Sequence, residues 1–154
     1  GQGVHLRGAW RGCRRLRAAG LVDKLPRMVG VQPALMPPVC KAFQAGLDHV
    51  PAVEAGDASI AEGLAIAEPV RGRRLLQAMH ETDGRCVVVQ EDAIVDAQRR
   101  LAHRGLFVEP TSATAVAALA SLSADVAPDE TVVVVLTGSG LKGSPKLGPP
   151  PSRD

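Results

Sequence analysis

Apolar positions along this chain follow two alternating rhythms, helical spacing and short unbroken runs. From Leu6 to Ala19, Leu6, Ala9, Trp10, Cys13 and Leu16 share one side, Arg11, Arg14, Arg15 and Arg17 crowd the other, and Gly20 follows. That spacing predicts a helix with a solvated basic face and a glycine stop. Arg27-Met-Val-Gly-Val-Gln32, set between Pro26 and Pro33, predicts a buried strand. Pro37 or Pro38 opens a second helix that runs to about Ala45. Leu47 to Ala58 reads as loop, and Ile60, Leu64 and Ile66 precede Pro69. Val70 to His80 is helical by spacing, with Val70, Leu75, Leu76 and Met79 packed and Arg71, Arg73 and Arg74 outward.

Cys86-Val-Val-Val89 predicts a second buried strand. The helix from Glu91 to Arg104 carries Glu91 and Asp92 in its first turn and Arg99, Arg100, His103 and Arg104 in its last. Both ends suit the helix dipole, and Gly105 closes it. Phe107 and Val108 make a short apolar segment before Glu109-Pro110, and Thr111 or Ser112 can cap a helix through Leu122. Thr131 to Leu136 predicts a third strand, ending in Thr137-Gly-Ser-Gly140. Helices alternating with short apolar β runs imply an α/β fold, a parallel sheet with helices on both faces. Residues 1–142 belong to that fold. Residues 143–154, rich in Pro, Gly and Ser, predict a disordered tail.

Composition narrows the picture. At 154 residues and 45% apolar content the chain supports one cored domain. With one Trp, two Phe and no Tyr, packing falls to Ala, Val and Leu, and no base-stacking platform is expected. A net charge of +2 predicts no nucleic-acid partner. Cys13, Cys40 and Cys86 form no C-x-x-C pair, and the odd count predicts free thiols in a reducing compartment. The longest strictly apolar run, Val132 to Leu136, is too short to span a bilayer, so a cytoplasmic protein without membrane contact is expected. His5, His49, His80 and His103 lack metal-ligand spacing.

Two turns remain as candidate chemistry. Gly1-Gln-Gly ahead of the first helix can cradle a phosphate, because glycine turns aim N–H groups inward and a helix N-terminus favours an anion. Thr137-Gly-Ser-Gly140 lies beyond the carboxyl end of the third predicted strand, where open α/β sheets place ligands. The Thr137 hydroxyl serves equally well to satisfy its own turn. Glu109 is a site carboxylate or simply a helix-start acid.

The order of segments resembles the C-terminal half of threonine synthase, in the tryptophan-synthase β-like (fold type II) group of pyridoxal-phosphate enzymes. The segments that carry the resemblance are Leu16 to Pro33, Ile60-Ala-Glu-Gly-Leu-Ala-Ile66, Gly105-Leu-Phe-Val-Glu-Pro-Thr-Ser-Ala113 and Val135-Leu-Thr-Gly-Ser-Gly-Leu-Lys142. They run in order from Gly1 to about Lys142. The E-P-x-S-A segment is similar across the wider group; L-T-G-S-G-L-K resembles threonine synthases in particular.

The resemblance implies pyridoxal 5'-phosphate as cofactor. It matches Thr137 to the hydroxyl residue that hydrogen-bonds the cofactor's pyridine nitrogen. Gly1, Gln2, Gly3, Val4 and His5 match the family's glycine-asparagine phosphate loop, with Gln2, Val4 and His5 replacing Asn, Gly and Asn. Glu109 and Ser112 match positions near the cofactor side of the sheet, with no role assigned. The Schiff-base lysine of the family lies upstream, and none of Lys24, Lys41, Lys142 or Lys146 matches it. The implied activity is a lyase of amino-acid biosynthesis that converts O-phospho-L-homoserine and water into L-threonine and phosphate. Its partner would be a small amino-acid substrate, with a homodimer in the full-length enzyme. The chain alone is expected to be an inactive fragment. A threonine/serine dehydratase-like enzyme and a non-catalytic degenerate remnant are the alternatives.

Overall fold

A computed structural model describes residues 2–54 and 56–142. The predicted tail, 143–154, lies outside the described residues, as does Gly1. The elements in chain order are α1 (Val4–Ala18), β1 (Val29–Pro33), α2 (Pro38–Gln44), α3 (Gly72–Glu81), β2 (Arg85–Val89), α4 (Glu91–Ala102), α5 (Pro110–Ala117) and α6 (Leu119–Leu122). Single 3-10 turns at Glu62–Leu64 and Ser123–Asp125 complete them. Three helices end by the same device: Gly20, Gly46 and Gly105 turn left-handed, and the following N–H returns to a carbonyl five residues back.

Strands β1 and β2 pair in parallel, from Val29 opposite Arg85 to Pro33 opposite Val89. Alternation along the strands divides the core between two faces. Gly30 and Cys86 face α2 and α3, where Val39, Ala42, Leu75, Leu76 and Met79 are buried. Val31, Val87 and Val89 face a second cluster containing Ile94, Ala97 and Leu101 of α4 and Ala113 of α5. Helices therefore cover both faces of a small parallel sheet.

Buried polar groups tie the layers together. The Thr82 hydroxyl accepts the Met28 N–H (3.0 Å) and donates to the Ala78 carbonyl (2.7 Å), fixing the end of α3 to the start of β1. Gln32 accepts the Cys40 N–H at 3.0 Å, satisfying an orphan donor of the first turn of α2. Gln98 of α4 donates to the Val108 carbonyl at 2.8 Å. Glu91 receives the Ser59 hydroxyl (2.9 Å) and the Ile60 N–H (2.8 Å), which anchors the end of the long loop.

Five expectations are corrected. Thr131 to Leu136 forms no strand, and the sheet has two strands among the described residues. Val132, Val133 and Val135 are exposed, because no neighbouring strand meets their backbone. Cys40 and Cys86 form a disulfide, leaving Cys13 as the free thiol. An odd cysteine count argues against a framework, but it does not prevent α2 from packing Cys40 against Cys86 on β2. Helix α3 begins at Gly72, so Val70 lies ahead of it and is exposed. Helix α1 begins at Val4 instead of Leu6. The helix predicted through Leu122 starts at Pro110, with Glu109 rather than Thr111 or Ser112 at its N-cap, and divides at Ala118.

Candidate functional site

The opening turn is built around Gly3. Its left-handed backbone (φ 67°) is the N-cap of α1, and a Cβ there would collide with the Leu75 side chain beneath it. Gln2 accepts the Val70 N–H through its side-chain oxygen at 3.1 Å, which fastens the turn to the approach of α3. Val4 and His5 are the first helical residues, not loop, and both are exposed. Val4 has no positive φ, so its β-branched side chain strains nothing. The first intrahelical bond runs from the Arg7 N–H to the Gly3 carbonyl, and no side chain caps the helix. The N–H groups of Val4, His5 and Leu6 therefore lack intrahelical acceptors, at the positive end of a 15-residue helix dipole. That donor set fits a phosphate.

The second candidate is folded onto the start of α5. Ser112, buried in its first turn, accepts the Thr137 N–H (3.1 Å) and the Gly138 N–H (2.8 Å) on its hydroxyl oxygen. The two hydroxyls, Ser112 Oγ and Thr137 Oγ1, lie 3.0 Å apart. The Glu109 N–H donates to the Gly138 carbonyl at 3.0 Å, and a Cβ at Gly138 would collide with the Glu109 carboxylate. Glu109 is thus a helix-start acid packed against the turn. Thr137 itself is exposed, so its hydroxyl is held from one side and open on the other. A half-satisfied, fixed hydroxyl fits a single hydrogen-bond acceptor on a ring.

The two turns rest on different helices, the first on α3 and the second on α5. No hydrogen bond or ion pair joins them among the described residues. Sequence reasoning found Thr137 but offered Ser112 only as a helix cap, with no role at the turn. The signal available was the pairing of E-P-x-S-A with L-T-G-S-G, two segments that only the fold brings together.

No group of three or more metal-binding side chains comes together among the described residues. His80 stacks on Phe43 and His49 pairs with Asp48. A shallow hollow of about 360 Å³ beside α3 is lined by Asp48, Arg73, Arg74, Leu76, Gln77 and His80. Arg73 holds Asp48 and Arg74 holds Gln77, so its polar groups already serve one another. None of its lining residues belongs to either turn. No helix of the described residues is long and apolar enough to cross a membrane.

The family model described as "Pyridoxal-phosphate dependent enzyme" matches residues 1–138. The chain belongs to that family. Among curated relatives it is 33% identical to threonine synthase of Methanocaldococcus jannaschii over 146 residues, covering 92% of this chain and 36% of the relative. Threonine synthase of Methanosarcina acetivorans is 34% identical over 147 residues, again 92% of this chain and 36% of the relative. The chain thus spans little more than a third of the length of these relatives. Among solved structures, a threonine deaminase from T.th. superposes with a TM-score of 0.68 at 26% identity, covering 90% of this chain and 47% of that one. The α/β fold is therefore that of pyridoxal-phosphate enzymes of fold type II, and the cofactor of the family is pyridoxal phosphate.

Proposed function

We propose that this chain is the cofactor-holding C-terminal part of a threonine synthase-like lyase, which converts O-phospho-L-homoserine and water into L-threonine and phosphate. The observation that carries the reading is the Thr137 hydroxyl, fixed by Ser112 on one side and open on the other. Supporting it are 33% and 34% identities to threonine synthases across 92% of the chain. When bound, pyridoxal phosphate supplies an electron-withdrawing ring that stabilises negative charge next to the amino acid's α carbon. The chain's own residues hold and orient that group. The free N–H groups of Val4, His5 and Leu6 take the phosphate, with Gln2 and Gly3 shaping the approach. Thr137 takes the ring nitrogen. A neutral hydroxyl there leaves the nitrogen largely unprotonated, so the ring is a milder electron sink than one paired with a carboxylate. The resemblance matches none of Lys24, Lys41, Lys142 or Lys146 to the lysine that anchors the cofactor, so the isolated chain would hold it by these contacts.

Titration with pyridoxal phosphate, followed by its absorbance, tests the reading. Saturable binding is expected, and Thr137→Ala weakens it by roughly 3–10-fold, the value of one hydrogen bond. A signal that never saturates, or an affinity indifferent to Thr137→Ala, overturns it. The superposition on threonine deaminase favours a second reading, a dehydratase-like enzyme. Assaying the parent polypeptide for phosphate released from O-phospho-L-homoserine, against 2-oxobutyrate formed from threonine, separates the two.

A further inference from the structure

We infer that the Cys40–Cys86 disulfide is a reversible thiol-modification site, opened by a dithiol reductant, that controls how firmly the Gly3 turn is seated. Its bearing on the cofactor rests on the reading above; the mechanical coupling does not. The bridge crosses from α2 to β2 inside the cluster that carries the turn. Cys86 packs against Val39, Ala42, Leu75, Leu76 and Met79. Over Gly30 its sulfur lies beside that of Met79: a Cβ there would meet them at 3.3 and 3.0 Å. Met79 and Leu75 stand four residues apart on one face of α3, and the Leu75 side chain fills the space under Gly3. The Cys86 sulfur, Met79, Leu75 and the turn thus form one packed row, with Met79 0% and Leu75 5% exposed. A close-packed row has little slack to absorb a displacement.

Opening the bridge is a thiol–disulfide exchange. Cys40 is 0% exposed and Cys86 half-buried, so a thiolate of the reductant attacks the Cys86 sulfur. The S–S bond breaks, and its electron pair leaves with Cys40, which takes up a proton. The second thiol of the reductant then resolves the mixed disulfide, which frees Cys86 as a thiol and leaves the dithiol oxidised. A disulfide oxidant reverses the exchange. The Cys40 thiol finds an acceptor where it stands, the Val87 carbonyl at 3.5 Å, and its backbone is held by Gln32 at 3.0 Å. Two unbonded sulfurs separate to van der Waals contact, so the one that moves is that of Cys86. Met79 is the neighbour that yields, and Leu75 carries the shift to Gly3. The Thr137 turn is gripped by Ser112 of α5, on the other face of the sheet, outside that row.

The test compares the full chain oxidised with glutathione disulfide and the same chain reduced with dithiothreitol. Two hydrogen-bonded amides report the turn: Arg7, bonded to the Gly3 carbonyl, and Val70, bonded to the Gln2 side chain. Reduction is expected to speed their exchange about 5-fold or more, at the low end of coupling between sites, and to weaken pyridoxal phosphate binding by a similar factor. Exchange at Thr137, at Gly138 and along α4 stays as it was. The response disappears when Cys40→Ala and Cys86→Ala are combined, and it persists in Cys13→Ala, which removes the free thiol. Cys40→Val with Cys86→Ala, which fills more of the space, serves if the first pair does not fold. Saturable binding whose affinity ignores reduction, or Arg7 and Val70 amides that hold still, overturns the inference and leaves the cofactor reading standing. A chain in which glutathione disulfide forms no Cys40–Cys86 bond overturns it too, as does a reduced chain whose β2 and α4 amides open together with Arg7. Amides that respond in a chain that never saturates with pyridoxal phosphate support the inference and overturn the cofactor reading.

Discussion

Two valine-rich runs of this chain meet opposite fates. Cys86-Val-Val-Val89 lies in β2, hydrogen-bonded to β1 along one edge, with α2 and α3 on one face and α4 and α5 on the other. Val132-Val-Val-Val-Leu136 has no ladder, and Val133 is 81% exposed where Val89 is 4% exposed. The later run is attached mainly at its ends. Arg27 and the Ala127 N–H both reach Glu130 ahead of it, and Ser112 grips Thr137 and Gly138 behind it. Leu136 alone of the run packs against the core. Apolar character thus makes a segment eligible for a sheet, while a neighbouring backbone in register decides whether it enters one.

The comparison is broken most sharply by charge. Val89→Asp buries an unpaired carboxylate and should cost on the order of 3–5 kcal/mol, read as a collapse of the urea midpoint. Val133→Asp should stay within about 0.5 kcal/mol of wild type. Equal losses at the two sites would mean that the second run is buried in solution. Next comes the Cys40–Cys86 bridge, which fastens only the first run. Reduction, or Cys40→Ala, should lower stability by about 2–4 kcal/mol in thermal melts. Amide exchange over 131–136 should not change. A melt indifferent to reductant in the wild-type chain would remove the bridge from the account.

The smallest effect concerns the tether of the second run. The Ala127 N–H, with the nearby Arg27 guanidinium and more distant Lys24, holds the Glu130 carboxyl below its ordinary value of 4.5. A depressed carboxyl contributes its anchoring fully above the unfolded value and loses it as pH falls through the folded one. NMR shifts of residues 127–133 should therefore move on acidification below about the ordinary glutamate range. The β2 amides should hold still over the same interval.

Much of this architecture could be read from local chemistry. Helix α4 announced both its ends, through Glu91 and Asp92 at one and Arg99, Arg100 and Gly105 at the other. Strands β1 and β2 followed from their apolar runs. What failed depended on groups remote in sequence. The disulfide joins cysteines 46 residues apart, a juxtaposition made by the packing of α2 on the sheet. Ser112 acts on backbone 25 and 26 residues downstream, so its own neighbourhood shows only a plausible cap. Val70 fits helical spacing, yet its N–H is taken by Gln2 and the helix begins at Gly72.

Leu75 has two neighbours that pull on the same side chain. It belongs to the buried cluster with Val39, Leu76 and Met79, and it also fills the space directly under Gly3. The floor of the Gly3 turn is therefore an outer wall of the interior. A bulkier side chain at position 75 would lift the loop off its seat, and a slimmer one would let it sink. The two surfaces cannot drift independently, and any change in the set of the Gly3 turn has to be matched inside.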